Sequence, residues 1–181
     1  VQLMFVCAHP SINLAARAPL MLQTVLGLDV NRMAGAFLTA PTTLAQRLVR
    51  AKSKIRDTGV SFEYPEAKDL PVRLQDVMEG IYAAFGTGWD NIDGADAERR
   101  GLTVEAIQLC HVLCQLLPNE PEPMGLLALM LFCEARSAAR LDEQGRYIAL
   151  DQQDTTLWNM DFVNQAESLL LKASQFGVMG P

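Results

Sequence analysis

Thr43, Arg47, Arg50 and Lys54 recur at spacings of four, three and four residues, so on a helix they form one stripe of a hydroxyl and three cations. Guanidinium and ammonium groups so arrayed suit a row of phosphates, and an arginine fork also matches the major-groove edge of guanine. One position along, Leu44, Leu48, Ala51 and Ile55 form a parallel apolar stripe. Residues 41–56 carry five cations and no acid. This is the layout of a helix packed on one side and turned towards phosphates on the other. Charge alone leaves a second reading open, because a basic amphipathic helix also serves as a plain solvated face.

Other chemistry is thinly represented. The chain has two histidines and no Gly-rich phosphate loop, nucleophile motif or carboxylate pair with a histidine partner, so no enzymatic activity and no cofactor are expected. Cys110, His111 and Cys114 lie within two turns of one expected helix. A structural zinc site wants four ligands, and only Cys7 and His9, far away in sequence, could complete it, so core packing is expected and metal is not. Four cysteines without a scaffold spacing suit a reducing, cytoplasmic compartment. Trp89 and Trp158 read as core residues rather than ligand anchors. Arg136 and Arg140, four apart, read as solvated or paired with Glu134 or Asp142, with capture of a carboxylate as the alternative.

The elements that must position the cationic stripe are legible. Residues 1–8 read as the end of a helix closed by His9-Pro10, and a second helix is expected over 19–26, with Pro19 in its first turn and Gly27 ending it. Asp29 is placed to cap a short helix over 30–37, and Pro41 stops it by disfavouring a helical Ala40. Thr39 or Thr42 can then cap the basic helix, which Thr58-Gly59 ends. Residues 59–70 read as a linker. A further helix over 71–85, a polar loop over 86–101, a helix capped by Thr103 reaching Leu117 with inward Leu109 and Leu116, an apolar helix over 124–141, a turn at 142–145 and a last helix over 158–176 follow. Small residues at Gly125, Ala128 and Ala135 are expected at helix crossings.

An all-α class is favoured, since alternating β-branched runs are nearly absent. The net charge of −6 hides an asymmetry: residues 1–58 hold seven Lys/Arg against two Asp/Glu, and the remainder holds eight against nineteen. That division suggests a basic module joined to an acidic one that avoids DNA. No apolar run approaches the ~20 residues a membrane span needs, so no membrane partner is expected.

Residues 27–55 resemble region 4 of the extracytoplasmic-function (ECF) sigma factors of bacterial RNA polymerase. The resemblance rests on Gly27-Leu28, Ala34 and the run Thr43-Leu44-Ala45-Gln46-Arg47-Leu48-Val49-Arg50-Ala51. Cys7-Ala8-His9-Pro10, Leu117-Pro118-Asn119-Glu120-Pro121-Glu122, Gly125-Leu126-Leu127-Ala128-Leu129-Met130, Gln153-Asp154 and Leu157-Trp158 narrow it to the branch with a tetratricopeptide-like helical extension. The resemblance implies an all-α chain: a helix-turn-helix of the winged-helix-like class over 1–58, the linker, and a truncated tetratricopeptide-like module over 71–181. It implies transcription initiation at the promoter −35 element, with Gln46, Val49 and Arg50 at base edges, Thr42, Thr43 and Arg47 on phosphate, and Lys54 either positioning phosphate or solvated. It also implies core RNA polymerase, through the β flap, as a partner, and a regulatory protein or ligand on the extension. Departures are Arg32-Met33 for the usual Glu-Ile, Gly86-Thr87-Gly88-Trp89 for Asn-Glu-Gly-Tyr, and Thr155 for Arg. The alternative is a protein-interaction module whose helix-turn-helix no longer functions.

Overall fold

The computed structural model describes residues 1–59, 65–66, 68–89 and 97–177. Among them the protein is all-α: helices α1 (Gln2–Cys7), α2 (Leu14–Val25), α3 (Val30–Ala34), α4 (Pro41–Thr58), α5 (Leu70–Trp89), α6 (Ala97–Leu116), α7 (Pro121–Ala135) and α8 (Met160–Ser174), with three short 3-10 turns between the last two. The chain forms two compact units, Val1–Asp90 with Glu98–Ala106, and Asn91–Ala97 with Ile107–Pro181.

In the first unit α2 is the hub, packing on α1, α4 and α5. Phe5, Leu20, Met21, Leu22, Met33, Leu44 and Ile81 are wholly buried there. α2 begins at Leu14, not at Pro19 as expected. Asn13 sets the start, its side chain accepting from the Ala15 N–H at 3.0 Å. Pro19 is carried inside the helix, and the bond it cannot make falls to the carbonyl of Ala15, an exposed residue that water can reach. α5, expected at the head of the second module, packs on α2 and α1. Two devices hold it. Arg17 Nη1 meets Asp76 Oδ2 at 2.6 Å with both side chains nearly buried, and Arg17 Nε also donates to the Ile12 carbonyl. Gly80 lets the helices approach, since a Cβ there would stand 2.7 Å from Met21 Sδ. α5 continues past Phe85 through Gly86, Thr87 and Gly88 to Trp89, which stacks on Phe85 at 5.6 Å, so the expected loop does not begin at 86. Thr87 keeps the turn satisfied by donating to the Ala83 carbonyl. Residues 60–64, 67 and 90–96, in the expected linker and loop, lie outside the described residues. Thr103 is not a cap: α6 starts at Ala97, and Thr103 is buried within it.

In the second unit α7 and α8 pack along one another. α7 starts at Pro121, a residue that tolerates the first turn, and ends at Ala135, short of the expected 141. Met124, Leu127, Ala128, Met130 and Leu131 bury one broad face of it, while Leu129 on the other side is exposed, so its apolar run is not buried all round. Ala128, Ala135 and Ala166 are buried, whereas a Cβ at Gly125 would meet nothing within 4 Å, so Gly125 is no close crossing. On α6, Leu113 is buried, but Leu109 is half-buried and Leu116 exposed, at the rim of that helix. Asn159 caps α8 through Asp161 and Phe162, and its own N–H reaches the Ala135 carbonyl at 2.8 Å. Arg140 is not solvated: it is buried, donates to Tyr147 Oη at 2.8 Å and lies 5.1 Å from that ring's centre. Asp142 instead pairs with Arg146 across a turn that Gly145, at φ 76°, closes.

Candidate nucleic-acid interface

The α3–α4 hairpin positions the cationic stripe. Asp29 caps α3 as expected, accepting from the N–H groups of Asn31 and Arg32. α3 ends at Ala34 rather than Phe37, and the turn that follows is closed by Leu38 N–H on the Gly35 carbonyl and Thr39 N–H on the Ala34 carbonyl. Leu38 takes the left-handed conformation, φ 46°, with its side chain 95% exposed. Neither Thr39 nor Thr42 caps α4. Ala40 stands at the cap position and Pro41 opens the helix, its fixed φ suiting the first turn and its missing N–H costing nothing there. The amides of that first turn are therefore left without a side-chain acceptor, as an anion would require.

Along α4, Leu44, Leu48 and Ala51 are buried, Ile55 is half-buried, and Gly59 ends the helix at φ 60°. At about 100° per residue, Thr42, Thr43, Gln46, Arg47, Val49, Arg50 and Lys54 fall on one arc of about 160°, opposite the buried stripe. Six of the seven are exposed, Val49 at 65%, and Arg47 is half-buried. Among the described residues, Arg47, Arg50, Lys52 and Lys54 enter no ion pair or side-chain hydrogen bond; Arg56 leans on Ser53 and Asp57. The face is an open, uncompensated cationic surface with two threonines at its N-terminal end.

Sequence reading missed the wall that this face meets. Ser11, Asn13 and Ala15 stand across a pocket of about 480 Å³ from Arg47, Arg50 and Lys54. The signal was Asn13 ahead of an apolar run, an N-cap pattern that starts α2 upstream of Pro19.

Among the described residues no group of three or more His, Cys, Asp and Glu side chains is gathered as a metal would need. Cys110 is buried and lies 3.4 Å from the Pro123 carbonyl. Its hydrogen bond with Cys114 pushes the Cys110 thiol up and draws Cys114 down, with Lys172 adding to the latter.

Residues 73–174, more than half of the chain, match DUF6596, described as a family of unknown function. The chain belongs to that family. The DUF6596 match begins within α5 and ends with the last residue of α8. The chain is also similar to Uncharacterized protein R00370 of Rhizobium meliloti (strain 1021), 36% identical over all 181 residues. It spans 43% of that relative's length. No solved structure matches. Among the described residues, no helix is long and apolar enough to cross a membrane.

Proposed function

We propose that this chain is a DNA-reading and regulatory segment of an ECF sigma factor, acting in the cytoplasm at the promoter −35 element within RNA polymerase. The observation that carries the reading is the exposed face of α4: two threonines, Gln46, Val49 and three unpaired cations opposite a buried apolar stripe. Thr42, Thr43 and Arg47 take phosphate, Gln46, Val49 and Arg50 take base edges, and Lys54 tracks the backbone. The tetratricopeptide-like reading of the second module and docking on the polymerase β flap belong to the same proposal. Selection by the chain from a pool of randomised duplexes tests it. The expected result is one short, non-palindromic motif; a palindrome would instead fit a dimeric repressor with paired half-sites, and no shared motif would contradict a base-reading role.

One observation favours a second reading, a protein-interaction module. Met160, Leu170 and Leu171 on α8 are each about half exposed or more, an apolar face suited to a partner protein. In that reading the cations of α4 are solvated, and the selected duplexes share nothing.

A further inference from the structure

The pocket beside α4 is built from two elements of the first unit. Ser11, Asn13 and Ala15 form one wall and Arg47, Arg50 and Lys54 the other. Ile12, Ala16 and Ala51, which also line it, are buried and give it an apolar floor. No lining residue is an acid, and among the described residues none of the three cations has an ionic partner. Their charge is left to something that enters. Donors are available on the facing wall too. Asn13 spends its carbonyl oxygen on the Ala15 N–H, its amide N–H groups have no partner among the described residues, and Ser11 Oγ sits 2.7 Å from His9 Nδ1.

The half-open pocket exceeds what a single DNA phosphate needs, and its volume of about 480 Å³ lies in the range of pockets that take small molecules. An apolar floor below a cationic rim suits a ring carrying phosphates, with arginine able to stack on the ring as well as bind the anion. We propose that this pocket binds a phosphorylated small molecule of the nucleotide class. The ring lies over Ile12, Ala16 and Ala51, and the phosphates engage Arg47, Arg50 and Lys54. The same three cations belong to the DNA-facing arc, so nucleotide and duplex exclude one another; this second half alone rests on the DNA reading above.

The test is a titration of a fluorescent N-methylanthraniloyl nucleoside triphosphate with the full chain, without divalent cations. Wild type is compared with Ala15→Glu and Lys54→Ala, on opposite walls, and with Arg146→Ala, which removes a cation from the second unit. Ala15 and Lys54 are exposed, so both variants keep the fold, which circular dichroism verifies. The expected result is saturable binding, weakened at least tenfold by each pocket variant and unmoved by Arg146→Ala. Unlabelled nucleotide should displace the probe at least tenfold better than inorganic triphosphate. Absence of saturable binding, or equal binding by Ala15→Glu, overturns the site; equal displacement by inorganic triphosphate overturns the ring subsite. A parallel competition uses a labelled duplex. Nucleotide binding that responds to Ala15→Glu, with no duplex bound, leaves the pocket standing and removes the DNA reading. Duplex binding that nucleotide fails to displace overturns the exclusion.

Discussion

Arg17 and Asp76 are the residues on which the first unit turns. Their side chains, 12% and 6% exposed, form a 2.6 Å pair that ties α2 to α5. Removing one member leaves the other charged and desolvated, which costs more than the intact pair contributes. Asp76→Ala should lower the unfolding free energy by about 3–5 kcal/mol in urea denaturation. A loss below about 1 kcal/mol would mean that the Ile12 carbonyl, with the Pro10 carbonyl 3.4 Å from Arg17 Nη2, suffices to satisfy Arg17. Thr43, Arg47, Arg50 and Lys54 share a face because helical spacing is written into the sequence, and α4 carries them on that stripe, with Thr42, Gln46 and Val49, which only the resemblance nominated, beside it. The pocket wall was not legible in this way. The Asn13 cap is a local signal for where α2 starts, but Ser11 and Asn13 line one pocket with Arg47 and Arg50 only through the packing of α2 on α4, which that signal does not encode.

At the scale of elements, caps and stripes were readable wherever the chemistry is local. Asp29 caps α3 and Gly59 closes α4 because each needs only its own neighbours. The misplaced start of α2 has a physical cause. Pro19 removes one helical hydrogen bond, but packing against four helices outweighs that loss. Likewise Gly86 and Gly88 read as a loop, yet α5 runs through them, with Gly88 buried. The α3–α4 turn holds an avoidable strain at Leu38, whose left-handed conformation costs a residue with a Cβ about 1–2 kcal/mol. Because that side chain is 95% exposed, Leu38→Gly sacrifices little burial and should raise stability by up to about 1 kcal/mol. A lower melting temperature for Leu38→Gly would show that the leucine makes a contact worth more than its strain.

At the scale of the whole molecule, charge and pH set how the protein behaves. The first 58 residues are basic and the remainder strongly acidic, so long-range attraction of anions favours the segment that carries α4. His9 links the first unit's stability to pH. Burial, followed by Arg73 and Arg17 and opposed by Asp69, holds its imidazolium below the usual histidine range. Between the folded value and about pH 6.5 the folded chain thus binds fewer protons than the unfolded one, and the His9 contribution is present above about pH 6.5 and lost as pH falls through the folded value. The melting temperature of wild type should therefore drop more than that of His9→Gln between pH 7 and pH 5. Parallel curves would exclude the linkage.

The central claim is that the exposed face of α4 binds DNA specifically. Fluorescence anisotropy of the full chain on duplexes taken from upstream of its own gene, across a salt series, measures this most directly. The account predicts specific, salt-sensitive binding that the Arg47→Ala/Arg50→Ala double variant weakens by at least tenfold, with a salt slope shallower by about one from the lost Arg47 phosphate contact and reduced specificity from the lost Arg50 base contact. Binding that is equal for the double variant, or equally tight on unrelated duplexes at every salt concentration, would contradict it.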